Sequence, residues 1–288
     1  MSNIKILTFI TLFLLITSVK IKAQVMDSPP NDGVYEKIHV KNRVPIPYTP
    51  FREADAFWTK RIWRVIDMRE KINQPFYYPT TPQNGRRSFM QVVLDGIKEG
   101  SIKAYDATSD EFLVEKPYEQ FMKELNKTDS TQVEVPDPNN PGQTMLIDTV
   151  IETTFNPTSV KQIRLKEDWF FDKQRSVMDV RILGICPIVD LFEADGVTPK
   201  GQQPLFWIYF PDTRVIFANS EVYNNFNDAL RLTYDDIFFK RMFNSYVYKE
   251  SNVFDRRITE YAKGMDALLE SERIKDEIFV KEHDLWEY

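Results

Sequence analysis

A chain of 288 residues with 42% apolar side chains, 14% aromatics and nine glycines can bury a large core and is too varied for a fibrous or low-complexity polymer. Its 37 basic and 43 acidic side chains give a net charge of −6, which argues against a general nucleic-acid binder. The only cysteine, Cys186, excludes an intramolecular disulfide, and with His39 and His283 as the two histidines there is no set for a Cys/His zinc site or a His-activated nucleophile.

Residues 1–23 read as a signal peptide. Lys5 precedes the apolar run Ile6–Val19, and small Ala23 stands where cleavage is expected. An uncleaved anchor is the competing reading, although the run falls short of the roughly 20 residues a span needs. No cysteine stands at the new terminus to accept a lipid. The first 23 residues hold three lysines and no acids, so the remainder carries 34 basic against 43 acidic side chains.

Residues 24–50 read as an extended arm, because Pro29, Pro30, Pro45, Pro47 and Pro50 exclude regular helix. Residues 51–127 are expected to form a helical first subdomain. Its first helix is predicted over Phe51–Asn73, started by Thr49-Pro50, with Trp58, Ile62, Val65, Met68 and Ile72 on one side. A second is predicted over Ser88–Glu99, with Gly100 at its C-terminal cap. A short strand over 102–106 and a helix opened by Pro117, with Phe121 and Leu125 inward, complete it.

Residues 128–158 read as an inserted hairpin, with strands at Val133–Val135 and Leu146–Val150 around the loop chemistry of 136–142. Residues 159–250 form an α+β second subdomain. Strands are expected at Ile163–Leu165, Val180–Val189, Leu205–Phe210 and Arg214–Ala218, the last two as a hairpin. A helix is expected from a Thr233/Asp236 capping box to about Tyr248. Residues 251–288 supply a last helix, Phe254–Arg273, with Ile258, Tyr261, Met265 and Leu268 on one face, and a charged tail ending in Leu285-Trp286. The expected fold class is α+β, with helices mainly in the first half and antiparallel strands and hairpins mainly in the second. Asp55-x4-Lys60-Arg61-Ile62-Trp63 echoes Asp235-x4-Lys240-Arg241-Met242-Phe243, which leaves open whether the halves are duplicated or two amphipathic helices converged.

No phosphate-cradling loop, dinucleotide glycine cluster or Gly-x-Ser-x-Gly occurs, so no catalytic, cofactor or metal residue is expected. Asp168/Asp172 and Asp235/Asp236 are the carboxylate pairs a glycosidase would need. Helix capping by Asp236 and pairing of Asp172 with Lys173 or Arg175 explain them without chemistry. Cys186, in an apolar run, reads as a small buried hydrophobe, with an intermolecular bridge as the alternative. Positive signals point to surfaces. Trp58, Arg61, Trp63, Arg64, Trp169, Phe170, Phe171, Arg175 and Trp286 are candidate interface residues, since Trp, Tyr and Arg dominate interface hot spots. The competing reading makes the aromatics core and the arginines a solvated face.

The strings Phe57–Asn73, Glu167–Ser176, Val180–Ile185, Phe206-Trp207 and Phe238–Phe243 resemble the signature regions of the GldN/PorN family of gliding-motility proteins. The likeness spans most of the chain beyond residue 23. It implies a periplasmic component of the type IX secretion system of Bacteroidota. That component forms a ring with an outer-membrane lipoprotein (GldK or PorK) and contacts the inner-membrane motor protein (GldM or PorM). It implies no catalytic residues. A periplasmic carbohydrate- or peptidoglycan-binding protein, with or without hydrolysis, is the alternative reading.

Overall fold

A computed structural model describes residues 42–136, 144–153, 155–192, 198–224, 227 and 229–285, all within the unit Ile38–Tyr288. The signal peptide, most of the arm, the hairpin tip and Trp286 lie outside the described residues. In chain order the elements are β1 (Ala56–Asp67), α1 (Gln74–Tyr77), α2 (Phe89–Lys98), β2 (Ala104–Tyr105), β3 (Glu115–Lys116) and α3 (Tyr118–Leu125). Then come β4 (Lys127–Pro136), β5 (Thr144–Thr153), β6 (Val160–Asp172), β7 (Val177–Phe192), β8 (Pro199–Pro204), β9 (Trp207–Tyr209) and α4 (Phe210–Ala218). The chain closes with β10 (Glu221–Val222), β11 (Leu232–Thr233), α5 (Tyr234–Phe239), β12 (Tyr246–Glu250), α6 (Ile258–Tyr261) and α7 (Met265–Asp284).

The fold is α+β, and its longest strands, β6 and β7, lie in the second half. The main sheet runs β12-β1-β6-β7-β9-β2-β3, with β8 also on β7, and its pairings are antiparallel. The expected hairpin strands are there as β4 and β5, paired from Lys127↔Thr153 to Pro136↔Thr144 as a separate two-stranded sheet.

The largest correction concerns Phe51–Asn73, which holds no α-helix: its central part, Ala56–Asp67, is strand β1, flanked by 3-10 turns at Glu53–Asp55 and Lys71–Asn73. Its first half alternates in burial from Ala56 to Ile62, the period-2 signature, and its second half, from Ile62 to Ile66, is buried throughout. A strand covered on both faces reads as a continuous apolar run, which helical spacing also fits. Thr59, Ile62, Trp63, Val65 and Ile66 favour the pleated conformation. β1 sits between β12 and β6, paired with β6 from Ala56↔Asp172 to Asp67↔Gln162.

Arg214–Ala218 is likewise helix, not strand. Pro211 sits in the first turn of α4, and the buried residues Phe210, Thr213, Arg214, Phe217 and Ala218 follow helical spacing. The helix expected over Phe254–Arg273 breaks at Gly264, whose φ of +58° lies in the left-handed half of backbone space, and α7 then continues to Asp284. Its inward residues are Ser271, Ile274 and Ile278, whereas Tyr261, Met265 and Leu268 are exposed. Helix α5 opens on the expected Thr233/Asp236 capping box but stops at Phe239, ahead of β12. The sequence echo is therefore not structural: residues 56–63 are strand, whereas Asp235 lies in α5 and Arg241 in the turn after it.

Two expectations match closely. The helix expected over Ser88–Glu99 is α2, with Gly100 after it at φ +73°; the structure adds a reciprocal capping box between Ser88 and Gln91. Phe121 of α3 is buried and Leu125 packs against the main core. That core joins α1, α2, α4 and α5 to one end of the sheet through edge-on and tilted aromatic contacts. Ring centres are 4.6 Å apart for Phe121–Phe206, 5.2 Å for Phe76–Phe238 and 5.4 Å for Phe89–Phe217. Tyr234 lies within it, its hydroxyl donating to the Arg87 carbonyl at 2.8 Å.

The described part of the arm, residues 42–50, has no helix or strand. Arg214 donates to the Ile46 carbonyl at 2.7 Å and Arg181 donates to that of Thr49. The Tyr48 ring lies 4.3 Å from the Arg214 guanidinium and 5.1 Å from that of Arg181.

Candidate interaction surface

Strands β1 and β6 carry most of the expected interface residues, and alternation divides them between the two faces of the sheet. Ile62, with Trp58 and Trp169 packed around it, belongs to a cluster formed with Val247, Ile258, Ile274 and Ile278. Trp63 belongs to a different cluster, with Cys186 and Trp207.

Beside α7, Glu167 is the organising residue. It is opposite Ile62 in the β1–β6 ladder, and register shifts at Trp63/Arg64 in the β1–β12 ladder and at Lys166/Glu167 in the β6–β7 ladder adjoin it. Such bulges re-aim side chains. Glu167 has 0% exposure. Arg241 donates to its two carboxylate oxygens at 3.0 and 3.2 Å, and the Trp169 indole N–H donates at 3.2 Å. Arg64 Nε lies 3.2 Å from Glu167 Oε2 without the alignment of a hydrogen bond. The Trp169 ring contacts both cations, with guanidinium-to-ring distances of 5.6 Å for Arg64 and 5.3 Å for Arg241. Burial pushes the Arg64 pKa down; Glu167 opposes this and Arg241 adds to it. Arg241 itself sits at φ +54°, a conformation that costs a side-chain-bearing residue roughly 1 kcal/mol or more. Its bidentate pair with Glu167 holds it there.

Helix α7 covers this end of the sheet along one stripe only. Ile274 and Ile278 face inward, whereas Met265, Leu268, Leu269, Phe279 and Val280 are exposed, Val280 and Phe279 beside the grooves on the two flanks. A groove runs along each flank. One, of about 450 Å³, has Trp58 and Lys60 facing Arg273, Asp276, Glu277 and Asp284. The other, of about 270 Å³, is lined by Arg64, Trp169, Arg241, Lys275, Ile278, Phe279 and Glu282.

The remaining expected residues are spent elsewhere. Trp63 is buried on the other side of the sheet, its indole donating to Asp110 at 2.7 Å, with the Lys249 ammonium 4.5 Å above the ring. Phe170 is buried against Phe51, and Phe171 meets exposed Phe57 edge-on at 6.3 Å. Arg61 forms a forked pair with Asp168 at 2.6 and 2.8 Å across the ladder. Arg175 pairs with Asp172 and Asp179 inside the β6–β7 turn. Glu167 and Arg241 were not anticipated, although both lie in the quoted strings. Glu167 at the same parity as the apolar residues Ile163 and Leu165 of β6, two residues before Trp169, is the signal that marks the first.

The four acids considered for sugar chemistry are all engaged. Asp168 holds Arg61, Asp172 holds Arg175, Asp235 holds Arg214 at 2.8 Å, and Asp236 caps α5 while pairing with Arg43. Cys186 is buried, and burial pushes its thiol up to about 12. Among the described residues no cluster of His, Cys, Asp and Glu could hold a metal ion, and no helix is long and apolar enough to cross a membrane.

Comparison with protein families finds one match: the family model of gliding motility associated protein GldN covers residues 51–287. No curated protein matches the chain.

Proposed function

The chain belongs to the family of gliding motility associated protein GldN, and we propose that it acts as a structural ring subunit of the gliding and type IX secretion machinery. In this reading it sits in the periplasm, bound to an outer-membrane lipoprotein of the GldK/PorK kind. It also touches the periplasmic part of a GldM/PorM-like motor protein and further copies of itself.

The observation that carries the reading is the two-sided character of α7. The helix exposes five large apolar side chains away from its buried stripe and has a Trp-lined groove on each flank. Exposed patches of this kind mark association surfaces. Light scattering on the purified protein, alone and mixed with the lipoprotein, tests it. A megadalton-scale particle on mixing is the expected result; two species that stay separate would overturn the ring.

The groove at Trp58, with Asp276, Glu277 and Asp284 on its wall, supports a second reading as a glycan-binding protein. A pull-down on cell-wall sacculi separates the two. Retention of this chain without its lipoprotein partner favours glycan binding.

A further inference from the structure

We propose that strand β5 is a self-pairing edge: it adds antiparallel, across a two-fold axis at Thr149, to the β5 strand of a second copy of this chain, and joins two hairpins into one four-stranded sheet. The inference rests on the reading of this chain as an assembly subunit and names one contact between copies.

The hairpin is long and forms a sheet of its own. Strands β4 and β5 have ten residues each, pair without a register shift, and among the described residues neither pairs with any other strand. A two-stranded ribbon is marginal in water, and a third strand is one way to stabilise it. Each outer edge offers backbone N–H and C=O groups to such a strand. The two edges differ in chemistry. β4 carries Lys127, Asp129 and Glu134 and ends on Pro136, which has no N–H to give. β5 has neither proline nor glycine, and Met145, Leu146, Ile147, Val150 and Ile151 with three threonines suit a strand. The edge open to pairing is therefore β5.

Face and charge then select the partner and the register. Met145, Ile147 and Ile151 occupy positions of one parity and Asp148 and Glu152 those of the other, so they belong to opposite faces of the ribbon. A two-fold axis keeps each face continuous only when it passes through a residue, so that like parities oppose each other. Centred on Asp148, the pairing sets Asp148 against its own copy. Centred on Val150, it sets Asp148 against Glu152. Both place like charges opposite each other, which destabilises a sheet. Centred on Thr149, it sets Ile147 against Ile151, Met145 against Thr153, Asp148 against Val150 and Leu146 against Glu152, so no carboxylates meet. Centres farther out leave more of the strand unpaired. β5 thus complements itself along almost its whole length, which makes a second copy its occupant.

Cysteine cross-linking of the full chain tests this, because the one native thiol, Cys186, is buried. Residues directly opposed in an antiparallel pair have Cβ atoms about 4.5–5.5 Å apart, near the ~3.5–4.5 Å that a disulfide spans. Thr149→Cys should give a covalent dimer under mild oxidation. Asp148→Cys and Val150→Cys should each give none alone and should cross-link to each other when mixed. Without oxidant, light scattering at the same concentration should report the mass of two chains. The double change Ile147→Lys/Ile151→Lys sets lysines opposite lysines and should weaken the dimer about tenfold. No cross-link at Thr149→Cys, equal cross-linking at all three positions, or a dimer that the lysines leave unchanged would overturn the proposal. A large particle that still forms with the lipoprotein in that event removes this contact and leaves the ring reading standing. A cross-linked dimer that forms no large particle keeps the contact and removes the ring.

Discussion

The two ends of the same sheet face are built from the same pair of strands and closed in opposite ways. At one end Ile66 of β1 and Ile163 and Leu165 of β6 meet helices α2, α4 and α5 in a core of interlocking rings. Two residues along β6 from Leu165, Glu167 takes the inward position, and Arg64, Arg241 and Trp169 gather on it under α7. The first end is finished by its own helices. The second is covered by a helix that keeps exposed apolar side chains and leaves charged grooves on both flanks. A sheet can thus hold a dry aromatic core and a buried ionic cluster on one face if the register places apolar residues at one end and ionic ones at the other.

Substitutions sharpen that contrast. Phe238→Ala in the dry end removes a ring that contacts Phe76, Phe89 and Phe210, and should cost about 3–5 kcal/mol in chemical denaturation. Glu167→Gln strands two guanidiniums and should cost a similar ~3–5 kcal/mol, although no cavity is made. A cost below about 1 kcal/mol would show that water already compensates the charges and that the ionic end is not closed.

Gly184→Ala probes the other side of the sheet. A Cβ there would lie 2.5 Å from the Phe112 ring and 3.1 Å from the Trp207 ring, so the Phe112 ring must shift out of its packing. A loss of about 1–3 kcal/mol and faster proteolysis within residues 106–114 are expected. The same loop should respond to acid. Burial raises the Asp110 pKa, but the Trp63 indole and the Lys166 ammonium outweigh it and hold the group below its usual value. The partners Lys116 and Thr108 bring Asp106 to about 2. A depressed carboxylate stabilises above its unfolded pKa and loses that contribution as pH falls through the folded value. Stability should therefore drop between about pH 4 and pH 2, and Asp110→Asn should flatten part of that drop.

The smallest effects belong to Arg61→Ala and Arg175→Ala. Both side chains are exposed and locally paired, so each should change stability by ~0–1 kcal/mol. A loss of about 2 kcal/mol or more in partner affinity would restore either to the interface.

Much of this was legible in the sequence. The Thr233 capping box, the Gly100 cap of α2, the β4–β5 hairpin and the buried Cys186 follow from local chemistry. Strand β1 was not, because a strand buried on both faces loses its alternation and imitates a helix. Helix α4 was hidden for the converse reason: its inner residues Phe210, Thr213, Arg214 and Phe217 mix polar with apolar, and only tertiary pairing of Arg214 with Asp235 makes the arginine a buried residue. The Trp- and Arg-rich strings proposed as interface fall on β1 and β6. They could not assign faces, so Trp63, buried on one side, and Trp169, lining a groove on the other, looked alike. Arg241 owes its place to a left-handed turn that no spacing rule announces.

Whether α7 acts outward as well as inward is tested most directly by Phe279→Ser. Phe279 is 67% exposed, so the substitution should leave the denaturation midpoint unchanged. Light scattering of the variant mixed with the lipoprotein should then show the large particle weakened or lost. A particle that forms at the same concentrations as with the unmodified chain would contradict the assignment of this surface to assembly.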